Sequence, residues 1–325
     1  MPAQLYLATT SGLAIAERDG SDWALAGRAL DGTHVTSVIA REGVILAGTR
    51  QGVLRSDDLG RSWADASSGL VDRHVRWLAY HPAISDCEFA GAEPAAISVS
   101  HDGARLWRAC PEVAALRDRL GWFLPYSPAA GCVRGFALHG ARAYAAVEVG
   151  GLLRSDDAGE HWGLAAGSDG QARFGSPAPG RIHPDVHSVA VHPSSADLVD
   201  CPTGGGFFRS TDGGETWTQR YACYCRAVWV DPDDSDRLIL GPADGVDRNG
   251  RIEESRDGGR QWTLAAQGLD VPWARGMVER FVQIEGDLLA VLSTGQLYGA
   301  PLATLHWRRI LPELAGINAV ATMAA

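Results

Sequence analysis

The chain has 325 residues, 46% of them hydrophobic and 21% charged, with a formal net charge of −10 and a pI near 5.4. That balance argues against nucleic acid or an anionic membrane as the main partner, and no apolar run approaches a bilayer span. Six cysteines in a chain this size do not make a disulfide framework, and the first residues enter a strand pattern without a basic, apolar leader, so a cytoplasmic protein with free thiols is expected.

In chain order, residues 4–9 read as the first strand, and a weak eight-residue phrase ends at Trp23. Residues 35–40, 44–47, 53–56 and 62–66 then read as four short strands separated by Gly-, Asp- and Arg-rich turns. The last two are joined by Ser56-Asp57-Asp58-Leu59-Gly60-Arg61-Ser62-Trp63, of the form Ser-x-Asp-x-Gly-x-x-Trp. First strands of later units follow at 75–80, 133–138, 186–191, 226–230 and 280–284. The phrase returns at 100–107 (with Ala104 in the glycine place), 155–162, 210–217 and 255–262, and only its Trp survives at Trp307. Three connections are long. Residues 108–131 hold a helix-like run over 111–120 and then Trp122, Phe123 and Tyr126. Residues 166–185 carry Arg173, Phe174, Arg181 and His183, and residues 267–277 carry Trp273 and Arg275. An acidic insertion at 244–250 reads as a solvated turn, and residues 317–322 form a strand left over at the end.

The seven tryptophans at 23, 63, 107, 162, 217, 262 and 307 are spaced 40 to 55 residues apart. A repeat of that length is one supersecondary unit that must stack on copies of itself. In the phrase, an Asp accepts backbone N–H groups across a tight turn, Gly supplies a positive φ, and Trp covers the following strand. It resembles the Asp-box (BNR) repeat, which implies a β-propeller with the phrase between the third and fourth strands of each blade. The resemblance extends to sialidase-like and uncharacterised bacterial glycosyl-hydrolase-like BNR proteins, and the same boxes occur in sorting receptors and photosystem assembly factors. The all-β expectation is a seven-bladed β-propeller of four-stranded antiparallel blades. Its blades span about 1–30 with 316–325, 33–68, 74–110, 132–166, 186–220, 223–266 and 278–311, the C-terminal strand closing the first. Asp57, Asp157, Asp212 and Asp257 are read as turn formers, not catalytic acids.

When the first strands are aligned on their terminal turns, Arg76, Arg134, His187, Arg226 and Arg280 fall in register. Five cationic or potentially cationic side chains at one channel mouth form either a pocket for a carboxylate or phosphate, or a set of inter-blade ion-pair struts. Seven residues before the phrase serines stand Thr49, Glu93, Glu148 and Thr203. Glu93 and Glu148 are candidates for an acid and base pair, or for the other half of the struts. Cys223 and Cys225 share a strand face, and with His187 they are a candidate soft-metal site, although buried Cys is also a common apolar filler.

Three functions follow. The first is a top-face pocket for a small anionic, carboxylated or sugar-like molecule, whose sharpest form is a sialidase-like glycoside hydrolase. The second is a non-catalytic scaffold that binds a protein partner, as the photosystem assembly factors do. The third is a metal-dependent enzyme at Cys223, Cys225 and His187. No other cofactor is expected.

Overall fold

The computed structural model describes residues 3–20, 22–127, 130–173 and 175–323; Phe174 lies outside them. Seven four-stranded antiparallel sheets form a seven-bladed β-propeller, with one helix, Pro111–Leu120, among the described residues. Blade 1 is Gln4–Thr9, Gly12–Asp19 and Asp22–Ala29, and the strand Ile317–Thr322 pairs with Gln4–Thr9 as its innermost member. The two ends of the chain thereby share one sheet, and the ring has no open edge between them. The other innermost strands are Val35–Arg41, Val75–Tyr80, Cys132–His139, Ala190–His192, Tyr224–Val230 and Val278–Ile284.

The strand of blade 5 is shorter than residues 186–191 lead one to expect. Val186 makes only an isolated bridge to Thr203, and the His187 N–H donates to the carbonyl of Pro202. Proline has no N–H to return, so the ladder lapses there.

Each Ser-x-Asp-x-Gly-x-x-Trp turn joins the third and fourth strands of its blade. In the copy at 210–217, the Gly214 N–H donates to Ser210 Oγ at 2.8 Å. Ser210 Oγ donates to Asp212 Oδ1 at 2.7 Å, and the Thr216 N–H closes on the same oxygen at 2.9 Å. Ala104 takes the glycine place with φ 64°, so the turn holds a Cβ there in a conformation L-residues rarely adopt. In the copy at 56–63 the turn former is Asp58, not Asp57: Ser56 Oγ donates to Asp58, which accepts the N–H groups of Arg61 and Ser62. Asp57 occupies the variable place, points outward and pairs with Arg55.

The core lies between blades. Phe89 of blade 3 meets Phe136 and Trp162 of blade 4, edge-on to the indole at 6.4 Å between centroids. Nearer the channel, a glycine of the second strand in blades 2, 3 and 6 admits a valine of the next blade. A Cβ on Gly48, Gly91 or Gly241 would stand 2.9, 2.5 or 2.5 Å from Val75, Val133 or Val278. These close approaches bring the innermost strands together and mark three structurally equivalent valines. No described helix is long and apolar enough to cross a membrane.

Candidate functional site at the channel mouth

The turns described above lie on one face. The starts of the innermost strands and the long inter-blade connections lie on the other, where a cavity of ≈ 530 Å³ opens. It continues down the channel into a second space of ≈ 270 Å³ lined by Trp77, Val189, Phe281 and Val320.

A repeated backbone device aims the side chains. In six blades the pairing of the innermost strand slips by one residue near its start, next to the buried valine, cysteine or isoleucine that precedes the channel position. A β-bulge leaves one residue out of the ladder and re-aims it. The residues at or beside these slips are Thr36, Arg76, Arg134, Arg226, Glu279 and Asn318, and all six line the cavity. In blade 7 the equivalent position is therefore Glu279, not Arg280. Alignment on terminal turns is out by one there, because the strand runs one residue further from its valine to its turn (Val278 to Glu285, against Val75 to His81).

The cations divide sharply. Arg76 pairs with Glu93 at 2.7 Å, and Arg134 pairs with Glu148 at 3.0 Å and with Glu279 at 2.9 Å. Arg226 also pairs with Glu279 and bonds the Tyr224 hydroxyl at 3.2 Å. Glu279 thus ties blades 4, 6 and 7 across the mouth. Arg280 makes no ion pair among the described residues. It lies flat on Trp77, 3.7 Å from the ring centroid, and its pKa is pushed down to about 9 by burial first and then by Arg134. Arg50 stands exposed at the rim, without an ion pair among the described residues.

His187 does not join the open ring. It is buried beneath Tyr224, with ring centroids 4.9 Å apart. Its Nδ1 lies 2.8 Å from the Cys225 carbonyl, and its Nε2 lies 3.2 Å from Asp185 Oδ2. It therefore meets the backbone of Cys225 and not its thiol. Burial pushes the Cys225 thiol well above its ordinary value, and its Sγ faces the Thr203 carbonyl at 3.8 Å. Cys223, Cys225 and His187 do not assemble as a metal-type group; among the described residues that group is Glu148, Asp185 and His187.

Glu93 and Glu148 stand where Thr9, Thr49 and Thr203 close the same turn onto a glycine carbonyl in other blades, so the fold does not require carboxylates there. Glu93 is buried and also accepts Ser127 Oγ at 2.8 Å. Burial pushes the Glu148 carboxyl up, but the Arg134 guanidinium outweighs it and holds the group well below the usual carboxylate range. Tyr126 and Cys132 bond Glu148 as well. The connection at 108–131 thus reaches over the cavity and is pinned there by Ser127 and Tyr126.

His34 and His74 are lining residues that the ring alignment does not reach; each precedes the buried valine of its blade. Burial, with Arg50 and Arg76 nearby, holds both below the ordinary histidine value. The shared His-Val pair at 34–35 and 74–75 is the signal that would have found them. Val246 also reaches the cavity, so the acidic insertion at 244–250 helps line the mouth.

No family model matches the chain, and no curated protein does. Solved propellers match it in fold. An ancestral GH74 enzyme superposes with a TM-score of 0.63 at 15% identity over 100% of this chain, which spans only 40% of that enzyme. YCF48 bound to D1 peptide gives 0.60 at 14% identity, covering 97% of this chain and 90% of that one. YCF48 from Cyanidioschyzon merolae gives 0.61 at 16% identity, covering 94% and 90%.

Proposed function

We propose that this chain is an Asp-box propeller whose central cavity binds a small anionic ligand, carboxylated or sugar-like. The observation that carries the reading is Arg280, a guanidinium in the cavity wall with an aromatic face beneath it and no ion-pair partner among the described residues. Arg280 is half-buried and feels the Glu279 carboxylate only at a distance, and an incoming carboxylate would supply a direct partner through paired hydrogen bonds. Arg50 adds charge at the rim, and neutral His34 and His74, with Thr36, Ser293 and Asn318, offer hydrogen bonds suited to hydroxyl groups. The five-membered cationic ring gives way to a shorter set, because Arg134 and Arg226 already have carboxylates and His187 is covered.

The reading stops at binding. A sialidase-like hydrolase needs a carboxylic acid that hands over a proton, and Glu148 is held ionised by Arg134 while Glu93 is tied to Arg76 and Ser127. A second reading is a peptide whose carboxylate enters the same cavity. Tyr126 and Val246, 60% and 59% exposed at the mouth, favour it, as does the shared fold with YCF48 bound to D1 peptide.

Thermal melting of the wild type and of Arg280→Ala against sialic acids, uronates, inorganic phosphate and short acidic peptides tests both. Ligand at a hundred times its Kd stabilises by about 2.7 kcal/mol, a shift of a few degrees. A shift with a small anion that Arg280→Ala abolishes is the expected result. A shift with peptides alone would install the second reading, and no shift with any probe would sink both.

A further inference from the structure

Glu148, Asp185 and His187 meet in the channel wall between blades 4 and 5. Each offers one ligand atom, and these atoms lie within 4.8 Å of one another. The residues are 4%, 6% and 2% exposed. A carbonyl oxygen only accepts, so the 2.8 Å contact with Cys225 puts the imidazole proton on Nδ1. The neutral ring then turns the Nε2 lone pair toward Asp185 Oδ2, 3.2 Å away, with the Tyr224 hydroxyl, the one donor near that nitrogen among the described residues, at a longer 3.4 Å. Two acceptors at that separation repel unless something positive stands between them. Asp185 Oδ1 is buried and has no hydrogen-bond partner, which is costly for a carboxylate left that way.

The surrounding charges point the same way. Glu148, Glu279 and Asp185 bring three carboxylates, against the guanidinium groups of Arg134 and Arg226. Glu148 is fixed by Arg134 at 3.0 Å and by the Cys132 thiol at 3.3 Å, as the carboxylate of a ligand set needs to be. A backbone carbonyl on the far nitrogen of the imidazole is likewise the usual way to hold a ligating histidine.

We propose that Glu148, Asp185 and His187 bind one divalent transition-metal ion, with His187 Nε2 and one oxygen from each carboxylate as ligands. Two oxygens and an imidazole suit zinc or manganese, and they exclude the soft thiolate chemistry that Cys223 and Cys225 suggested. The rival is an imidazolium that donates from Nε2 to Asp185. It fits less well, because charged hydrogen bonds run at about 2.7–2.9 Å and this donor would still leave Oδ1 without a partner. The proposal does not depend on the anion reading, which rests on Arg280 on the other side of the mouth.

The test uses the full chain, stripped with a chelator, reloaded with zinc or manganese and then desalted. One equivalent of metal per chain is expected, with a raised melting temperature. Asp185→Asn and Glu148→Gln each lower retention at least tenfold, while Cys223→Ser keeps it. Cobalt(II) in the wild type gives visible ligand-field bands without the near-ultraviolet band of a cobalt–thiolate bond. The proposal is overturned by no retained metal and no melting shift, by equal retention in both carboxylate variants, by a thiolate band, or by a doubly protonated His187 ring in metal-treated protein. If Asp185→Asn fails to fold, Glu148→Gln and the wild-type cobalt spectrum decide.

Discussion

The two sides of the channel mouth do opposite things with charge. Toward blades 4 to 6, Arg134 and Arg226 are held by Glu148 and Glu279, with Tyr224 packed over His187. Toward blades 1 to 3 and across to Arg280, Arg76 pairs with Glu93, while Arg50 and Arg280 make no ion pair among the described residues and Glu279 acts on Arg280 only at longer range. One side is a brace between blades, and the other is positive and open to solvent. Inter-blade strut therefore describes Arg134 and Arg226, whereas the proposed anion pocket draws on Arg280 and Arg50, which stand outside that strand position.

The largest expected effect comes from cutting the brace. Arg134→Ala strips Glu148 of its guanidinium and Glu279 of one of two, and breaking a buried pair from one side costs about 3–5 kcal/mol. Arg280→Ala gives up its stacking on Trp77 but also relieves a half-buried cation without an ion pair, so its net cost is at most about 1 kcal/mol. Chemical denaturation of the two variants measures the contrast directly. Equal losses would mean that the two sides do not differ.

The fold was legible because its signals are local and repeated: a turn phrase with a defined hydrogen-bond set, tryptophans spaced 40 to 55 residues apart, and a strand left over near residue 317 that had only one sheet to complete. The site was half legible. Arg76, Arg134 and Arg226 follow a buried residue in each blade, and the bulge aims them inward as their register suggests. Counting from the far end of the strand hid Glu279, which is the residue that neutralises two of them. Asp57 stands at the variable second place of the phrase, one residue before the Asp that the pattern specifies, and the N–H groups of Arg61 and Ser62 close on Asp58. The group of Glu148, Asp185 and His187 spans two blades and was out of reach, since no local spacing encodes a contact 37 residues apart.

Glu279→Gln is the next test, because it turns part of the brace into open positive surface. It leaves Arg226 without a carboxylate and Arg134 with Glu148 alone. Stability falls, by less than in Arg134→Ala, and anion affinity rises by about tenfold, equivalent to ~1.4 kcal/mol. Calorimetric titration with the anion identified by melting reads this. Unchanged affinity would confine the ligand to the Arg280 side.

Smaller effects follow from pH. The folded Arg280 has a pKa near 9, below that of the unfolded chain, which keeps this proton at higher pH. Above about pH 9 the unfolded state binds more protons at this position, so this group's contribution makes stability rise with pH there, while anion affinity falls as the cation is lost. At the acid end, His34 and His74 are neutral at pH 7, because burial and the neighbouring arginines lower them. A bound anion raises both, so binding takes up protons and strengthens as pH falls below the ordinary histidine value. Titrations from pH 5.5 to 10 should therefore show affinity highest in acid, level near pH 7 to 8 and falling above 9. A profile flat from end to end would place the anion away from all three groups.

The smallest expected effect on the mouth comes from the opposite face, and it tests whether the two sides differ for local reasons. Asp58 is held at about 2, chiefly by the Ser62 hydroxyl and N–H and by Ser56, so its contribution is present above the unfolded value and lost as pH falls through 2. Asp58→Ala removes the acceptor that closes its turn, whereas Asp57→Ala removes only a surface partner of Arg55. The melting temperature should fall more for Asp58→Ala than for Asp57→Ala, and neither should alter the anion response. If Asp58→Ala weakened anion binding, the geometry of the mouth would depend on the far turns, and the charge contrast between its sides would not be set by the bulged strand starts alone.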